Sequence, residues 1–263
     1  MDLGLKDKVA LVVAGSRGLG RAVAEELAAE GASVIICARD AATLAETTAT
    51  IADQTGAHVL GVPADVTDVV QVKHLVASGN ERFGRIDILV TNAGGPPAGR
   101  FDQLTHEQWE QATQLTLYSA VHLAREVLPG MKARHWGRIL NITSIAVKQP
   151  VDGLLLSNSL RAAVTGFART LANEVATDGI TVNNILPGYT RTERLEDLAR
   201  MMAEKQGISE SEFRGQWEHE IPMRRLGEPR ELAALAAFLV SERASYITGT
   251  SIQVDGGWIK SLL

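Results

Sequence analysis

The chain has 263 residues, of which 26 are basic and 31 acidic, for a net charge of −5; 45% are apolar and only 5% aromatic. A chain of this length buries a sizeable core and fits one α/β domain. No cluster of Lys and Arg marks a nucleic-acid footprint, the apolar run Leu232 to Val240 is too short to cross a bilayer, and one cysteine, Cys37, leaves neither an internal disulfide nor a Cys-based zinc site. The acidic residues ahead of the first apolar segment speak against a signal peptide. The expectation is a cytoplasmic protein with no membrane or nucleic-acid partner.

In chain order, strand-length apolar runs fall at Val9–Ala14, Ser33–Cys37, His58–Val62, Ile86–Val90, Arg138–Ile142, Thr181–Ile185 and Ser251–Val254. Helical patterns fall between them, at Leu19–Glu30, Ala41–Gln54, Val69–Arg82, His106–Met131, Leu154–Ala176 and Arg230–Ser241. Such alternation predicts a parallel sheet with helices on both faces. No repeat or linker divides the chain, so residues 1–263 read as a single domain. Residues 191–225 break the rhythm with a long, charged, Met- and Glu-rich stretch. They read as a helical insert that follows a strand's carboxyl end and lies over the ligand crevice.

Ala14-Gly15-Ser16-Arg17-Gly18-Leu19-Gly20 joins the first strand to the first helix. Glycines there permit a tight turn and close backbone approach, and the helix start offers free N–H groups to a pyrophosphate. At the end of the second strand stands Ala38, which has no carboxylate for a ribose 2′-hydroxyl; Arg39 follows it. Arg39 and Arg17 are two guanidinium forks suited to a 2′-phosphate, favouring NADP(H) over NAD(H). Competing readings are a solvated Arg39, an Arg17 that only serves the turn, and an Arg39 paired with Asp40.

The G-x-x-G-x-G spacing resembles the short-chain dehydrogenase/reductase family, whose fingerprint is T-G-x-x-x-G-x-G; Ala14 replaces the Thr. The resemblance continues in order through Asp65-Val66, Asn92-Ala93-Gly94, Asn141-Ile142-Thr143-Ser144, Pro187-Gly188 and Ile247-Thr248-Gly249…Val254-Asp255-Gly256-Gly257. It implies a Rossmann-type doubly wound sheet of about seven strands in the order 3-2-1-4-5-6-7. It also implies cofactor contacts at Gly15, Ser16, Arg17, Gly18, Leu19, Gly20, Arg39, Asp65, Val66, Asn92, Ala93, Gly94, Arg161, Pro187, Gly188 and Thr192. The similarity is to β-ketoacyl-acyl-carrier-protein reductase-like members. The implied partners are a small-molecule or acyl-thioester substrate and a second copy of the chain, in a homotetramer or homodimer.

Family members reduce carbonyls with a Ser, a Tyr thirteen residues later, a Lys four beyond it, and a helix Asn that holds a relay water. Carried over by position, Ser144 keeps the Ser, whereas Ser157 stands for Tyr, Arg161 for Lys and Thr116 for Asn. A serine hydroxyl is a far poorer acid than a phenol of pKa ~10, and Arg does not give up its proton. Tyr118 lies two positions from Thr116 and so points to the helix's other side, as a packing residue. Tyr189 can reach the crevice or pack within its loop, and packing is favoured. His135 reads as a turn residue, Cys37 as inert core, and Met201, Met202 and Met223 as core or as an adaptable apolar lining. The loop Gly94–Gly99 reads as a pocket wall or a plain turn. No histidine pattern suggests a metal. Two readings stand: an NADP(H)-dependent oxidoreductase with an altered proton donor, and an inactive NADP(H)-binding homologue serving as sensor or partner subunit.

Overall fold

A computed structural model describes residues 2–262; Met1 and Leu263, the ends of the expected span, lie outside the described residues. Seven strands form one sheet: β1 Val9–Val13, β2 Ser33–Ala38, β3 Val59–Pro63, β4 Ile88–Thr91, β5 Gly137–Ile142, β6 Ile180–Pro187 and β7 Ser251–Val254. Their order is β3-β2-β1-β4-β5-β6-β7 and every pairing is parallel. β1 and β4 are buried along their whole length, as strands covered on both faces must be.

Helices α1 Gly18–Ala29, α2 Ala41–Thr55 and α9 Pro229–Leu239 cover one face. There Val23, Leu27, Leu44, Ile51 and Leu232 meet Val12, Ile36 and Val90. On the other face α3 Val69–Phe83, α5 Ser119–Ala133 and α6 Leu155–Val175 bring Val72, Leu75, Leu123 and Leu171 against Leu11, Ile35 and Leu89. Two further helices, α7 Glu193–Gln206 and α8 Glu210–Glu220, occupy the expected insert, and α4 His106–Thr113 precedes α5. Among the described residues no helix is long and apolar enough to cross a membrane.

Most element boundaries shift by one or two residues from the sequence reading, and two of the differences have structural content. The continuous helix expected over 106–131 is interrupted by a π-helical turn at Gln114–Tyr118, through which the buried positions Ala112, Thr116, Ala120 and Ala124 keep a four-residue spacing. β4 starts at Ile88 rather than Ile86; just before it stands Asp87, whose N–H donates to Val9 O at 2.8 Å and whose carbonyl accepts from Arg138 N at 3.0 Å. Its side chain is fully buried at the amino end of the sheet. It accepts a hydrogen bond from Val9 N at 3.0 Å and pairs with Arg85 (2.7 Å) and Arg134 (3.4 Å). Removing it strands a buried N–H and uncouples two cations, so Asp87→Ala should cost about 2–4 kcal/mol. Denaturant unfolding checks this; a loss under about 0.5 kcal/mol contradicts the assigned role, since that is the size of an ordinary surface change.

Candidate active site

The strand order reverses about β1, which pairs with β2 on one side and β4 on the other. Ligands in such sheets bind beyond the strands' carboxyl ends at this point. The glycine-rich turn leaves β1 there. Ala14 and Gly18 both take left-handed backbone, with φ of 51° and 55°, and Gly15 N donates to Cys37 O at 3.1 Å. A Cβ on Gly20 would overlap Ala14 O and stand 3.0 Å from Asn92 Nδ2, so only glycine lets α1 begin this close to the β4 loop. Ser16 is buried, and its carbonyl accepts from Thr47 Oγ1 at 3.0 Å, tying the turn to α2.

The charges around the turn are now defined. Asp40 caps α2, accepting from Thr43 N at 2.7 Å; the Thr43 hydrogen bonds, followed by the Arg17 charge, hold its carboxyl below the ordinary range. Its capping oxygen thus serves the α2 backbone. Arg39 is exposed, and no ion pair engages it among the described residues. Arg17 donates to Thr43 Oγ1 at 3.1 Å and pairs with Glu193 at 3.0 Å, from the first residue of α7. Thr192 caps α7 by accepting from Leu195 N, and its methyl would lie 3.6 Å from a Cβ on Gly18. The insert therefore touches the glycine-rich turn. A hollow of about 400 Å³ lined by Arg191, Thr192, Glu193, Glu196, Asp197 and Arg200 adjoins these contacts.

Other predicted residues occupy the same rim. Asn92, Ala93 and Gly94 leave β4, and no atom lies within 4 Å of a Cβ built on Gly94. This loop is pinned to the start of α6 by Gly99 N donating to Gly153 O at 2.7 Å, so the segment expected as wall or turn is anchored at its far end. Asp65 follows β3 and spends one carboxylate oxygen on Thr67 N (2.9 Å) and Thr67 Oγ1 (2.8 Å); Val66 beside it is buried. Pro187 ends β6. Gly188 follows, donating to Val254 O at 3.0 Å, and a Cβ there would crowd Asp255 at 2.8 Å.

At the end of β5, Ser144 Oγ accepts from Ala146 N at 3.1 Å, leaving its hydroxyl proton free to donate. Ser157 and Arg161, four apart on α6, share a helix face. Arg161 Nη1 donates to Ile142 O (3.0 Å) and Thr143 O (2.7 Å), which fixes the guanidinium at the carboxyl end of β5. Burial, and then the nearby Arg194 charge, push it down to about 10, still a cation at neutral pH. Thr116 lies in the π-helical turn, buried, with no hydrogen-bond partner for its hydroxyl. It lines a cavity of about 20 Å³ with Asn92, Ser119, Thr143 and Arg161. That is room for one water, and the lining is polar enough to hold it.

None of the three tyrosines stands at this point. Tyr118 is 44% exposed and stacks on His122 at 5.8 Å, so it sits on the surface rather than in a packed layer. Tyr189 stacks on Trp217 at 5.0 Å and meets Trp258 edge-on; burial, followed by Glu220, pushes its phenol up to about 12. That is the loop-packing alternative. Tyr246 is fully exposed. Cys37 is buried and its thiol is raised to about 12 by desolvation. His135 takes a left-handed turn conformation (φ 51°) ahead of β5, at the sheet's other end. Met202 packs against the α7–α8 cluster, whereas Met201 and Met223 are exposed. Arg194 was not singled out by the sequence. Its one signal was the pair Gly94-Gly95, for a side chain on Gly95 would overlap the Arg194 guanidinium.

A parallel sheet in this order, with a glycine-rich turn at its switch point, defines a dinucleotide-binding α/β protein. The family model described as Enoyl-(Acyl carrier protein) reductase matches residues 13–259, and the chain belongs to the short-chain dehydrogenase/reductase family of oxidoreductases. It is 37% identical over 253 residues to the 3-oxoacyl-[acyl-carrier-protein] reductase FabG of Haemophilus influenzae, covering 96% of this chain and 98% of that one. Among solved structures, L-sorbose reductase from Gluconobacter frateurii, complexed with NADPH and L-sorbose, superposes with a TM-score of 0.96 at 37% identity over the whole of both chains. A variant of actinorhodin polyketide ketoreductase with NADPH gives 0.93 at 32% identity, covering 97% of this chain and 98% of that one.

Proposed function

We propose that the protein is an NADP(H)-dependent reductase of a carbonyl, either a 3-oxoacyl group or a small ketone, working with an altered proton-donor arrangement. The observation that carries the cofactor assignment is the exposed, unpaired Arg39 beside a turn closed by Gly15, Gly18 and Gly20. Arg39 and Arg17 would hold the 2′-phosphate; Ser16, Leu19 and the α1 start would take the pyrophosphate; Asp65 and Val66 would flank the adenine side. Asn92, Ala93, Gly94, Pro187, Gly188 and Thr192 would border the nicotinamide side. The NADPH complexes of the sorbose reductase and the ketoreductase support this cofactor.

When bound, NADPH supplies the hydride. Ser144 would donate its hydroxyl proton in a hydrogen bond to the substrate oxygen. Arg161 would place a fixed positive charge below that oxygen and stabilise developing negative charge. Thr116 would hold one water in the small cavity, and Ser157 would stand on the α6 face that carries Arg161. Neither hydroxyl matches a phenol as an acid, so turnover should be slow relative to relatives that carry one. Subunits would pair through the outward sides of α5 and α6, where Ala162, Ala163 and Gly166 are exposed and small enough for close helix approach.

The positions of the three tyrosines favour a second reading, in which the protein binds NADPH without turnover and serves as a sensor or partner subunit. Consumption of NADPH with a panel of 3-oxoacyl thioesters and small ketones separates the two. Turnover that falls with Ser144→Ala supports the reductase. NADPH binding with no turnover across the panel supports the second reading.

A further inference from the structure

One of the two arginines of the proposed 2′-phosphate seat already holds an anion, and that anion belongs to the chain itself. Arg17 extends its guanidinium from the glycine-rich turn to two partners. Nη2 donates to Thr43 Oγ1 at 3.1 Å, in the first turn of α2, whose cap is Asp40 with Arg39 just before it. Nη1 meets a carboxylate oxygen of Glu193 at 3.0 Å, 176 residues along the chain. The Glu193 carboxylate thus sits on the same guanidinium fork that a ribose phosphate would use.

Nothing local to α7 calls for this reach. Thr192 already caps the helix, accepting from Leu195 N at 3.3 Å, and the other acid of the first turn, Glu196, pairs with Arg214 inside the insert. Glu193 instead crosses from the insert to the turn. A planar guanidinium engages carboxylate and phosphate in the same way, so the two anions are alternatives at one group. Side-chain exposure is 61% for Arg17 and 70% for Glu193, which makes the pair weak enough for a ligand phosphate to break. Glu193 also lines the hollow of about 400 Å³ beside α7, so a displaced carboxylate has room to swing away without moving the helix.

We propose that Glu193 is a cofactor-discriminating residue: it occupies Arg17 in the empty protein, and NADPH must displace it, whereas NADH leaves the pair intact. This rests on the reading that Arg17 and Arg39 take the 2′-phosphate. The apparent affinity for NADPH is then lowered by the share of molecules in which the pair is closed. Glu193 in this way offsets part of what the two arginines gain and narrows the margin between the two cofactors.

The test is a binding titration of the wild type, Glu193→Gln, Arg17→Ala and the double variant, each with NADPH and with NADH. Glutamine keeps the shape of the side chain and removes its charge at an exposed position, so circular dichroism should show an unchanged fold. Glu193→Gln should tighten NADPH about 2–5-fold, the share that an exposed ion pair withholds, and change NADH by less than ~1.5-fold. Glu193→Ala, which also removes the hydrogen-bonding amide, should give the same gain. In the Arg17→Ala background Arg39 still gives NADPH a hold, and there the Glu193 substitution should change neither affinity, because the group it frees is gone.

Weaker NADPH binding in Glu193→Gln would mean that the carboxylate braces Arg17 for the phosphate, and no change would mean that the pair is incidental; either result overturns the proposal. Equal gains for both nucleotides, or a gain that persists with Arg17→Ala, overturn it too, since the effect would then be a general loss of negative charge near the cleft. A wild-type protein that binds NADPH no better than NADH, or binds neither, brings down the 2′-phosphate reading instead. That failure is read from the wild type alone, so the two are distinguishable.

Discussion

Replacing Ser157 with Tyr and Arg161 with Lys together should raise NADPH-dependent reduction of a neutral ketone by about 10²–10⁴-fold, the usual worth of a positioned acid. The two positions lie one helical turn apart on α6, so a phenol and an ammonium would share the face that now carries Ser157 and Arg161. The nearby cation would lower the phenol's pKa and make it a competent donor. Ser144 already stands at the end of β5 with its proton free, and Thr116 lines a cavity of water size. On the proposed reading, these two residues would supply the rest of a relay. The rate is to be compared in protein shown by circular dichroism to be folded and by titration to bind NADPH. A folded, NADPH-binding double variant with no gain would mean that the pocket has changed beyond these two side chains.

Arg39→Ala should weaken NADPH binding at least ~10-fold and leave NADH almost unchanged, because a 2′-phosphate loses charge-assisted bonds that NADH never makes. Asp40 spends its capping oxygen on Thr43 N, and Arg39 has no ion-pair partner among the described residues, so its charge is free for a ligand. Arg17 is half committed to Glu193 and Thr43. The larger share of discrimination should therefore come from Arg39. The difference should narrow as salt rises, since both groups are exposed. Equal losses for the two cofactors would refute the 2′-phosphate assignment.

The sheet was legible because its inner strands are apolar runs buried on both faces, as in Val9–Val13 and Ile88–Thr91, whereas the edge strands β3 and β7 are largely half-buried. Helices bounded by caps were legible too: Asp40 and Asp68 open α2 and α3, and Gly56 and Gly84 close them in left-handed conformation. The π-helical turn was not, since the buried positions Ala112, Thr116 and Ala120 keep the four-residue spacing that an ordinary helix also shows. Nor was the role of Asp87, whose partner Val9 is 78 residues away.

In the candidate site, local motifs such as Gly15–Gly20 carried their geometry with them. The contacts of the insert did not. Arg17 and Glu193 are 176 residues apart, and nothing near either one announces the other. Arg194 on Gly95 is the same kind of contact, 99 residues apart in the chain and visible only once it is folded.

The most direct test of the account is a fluorescence titration of the wild-type protein with NADPH, and with NADH alongside. Saturable NADPH binding at least ~10-fold tighter than NADH is the predicted result, in line with a guanidinium pair reading the 2′-phosphate. Failure to bind either nucleotide, or equal affinity for both, would contradict it.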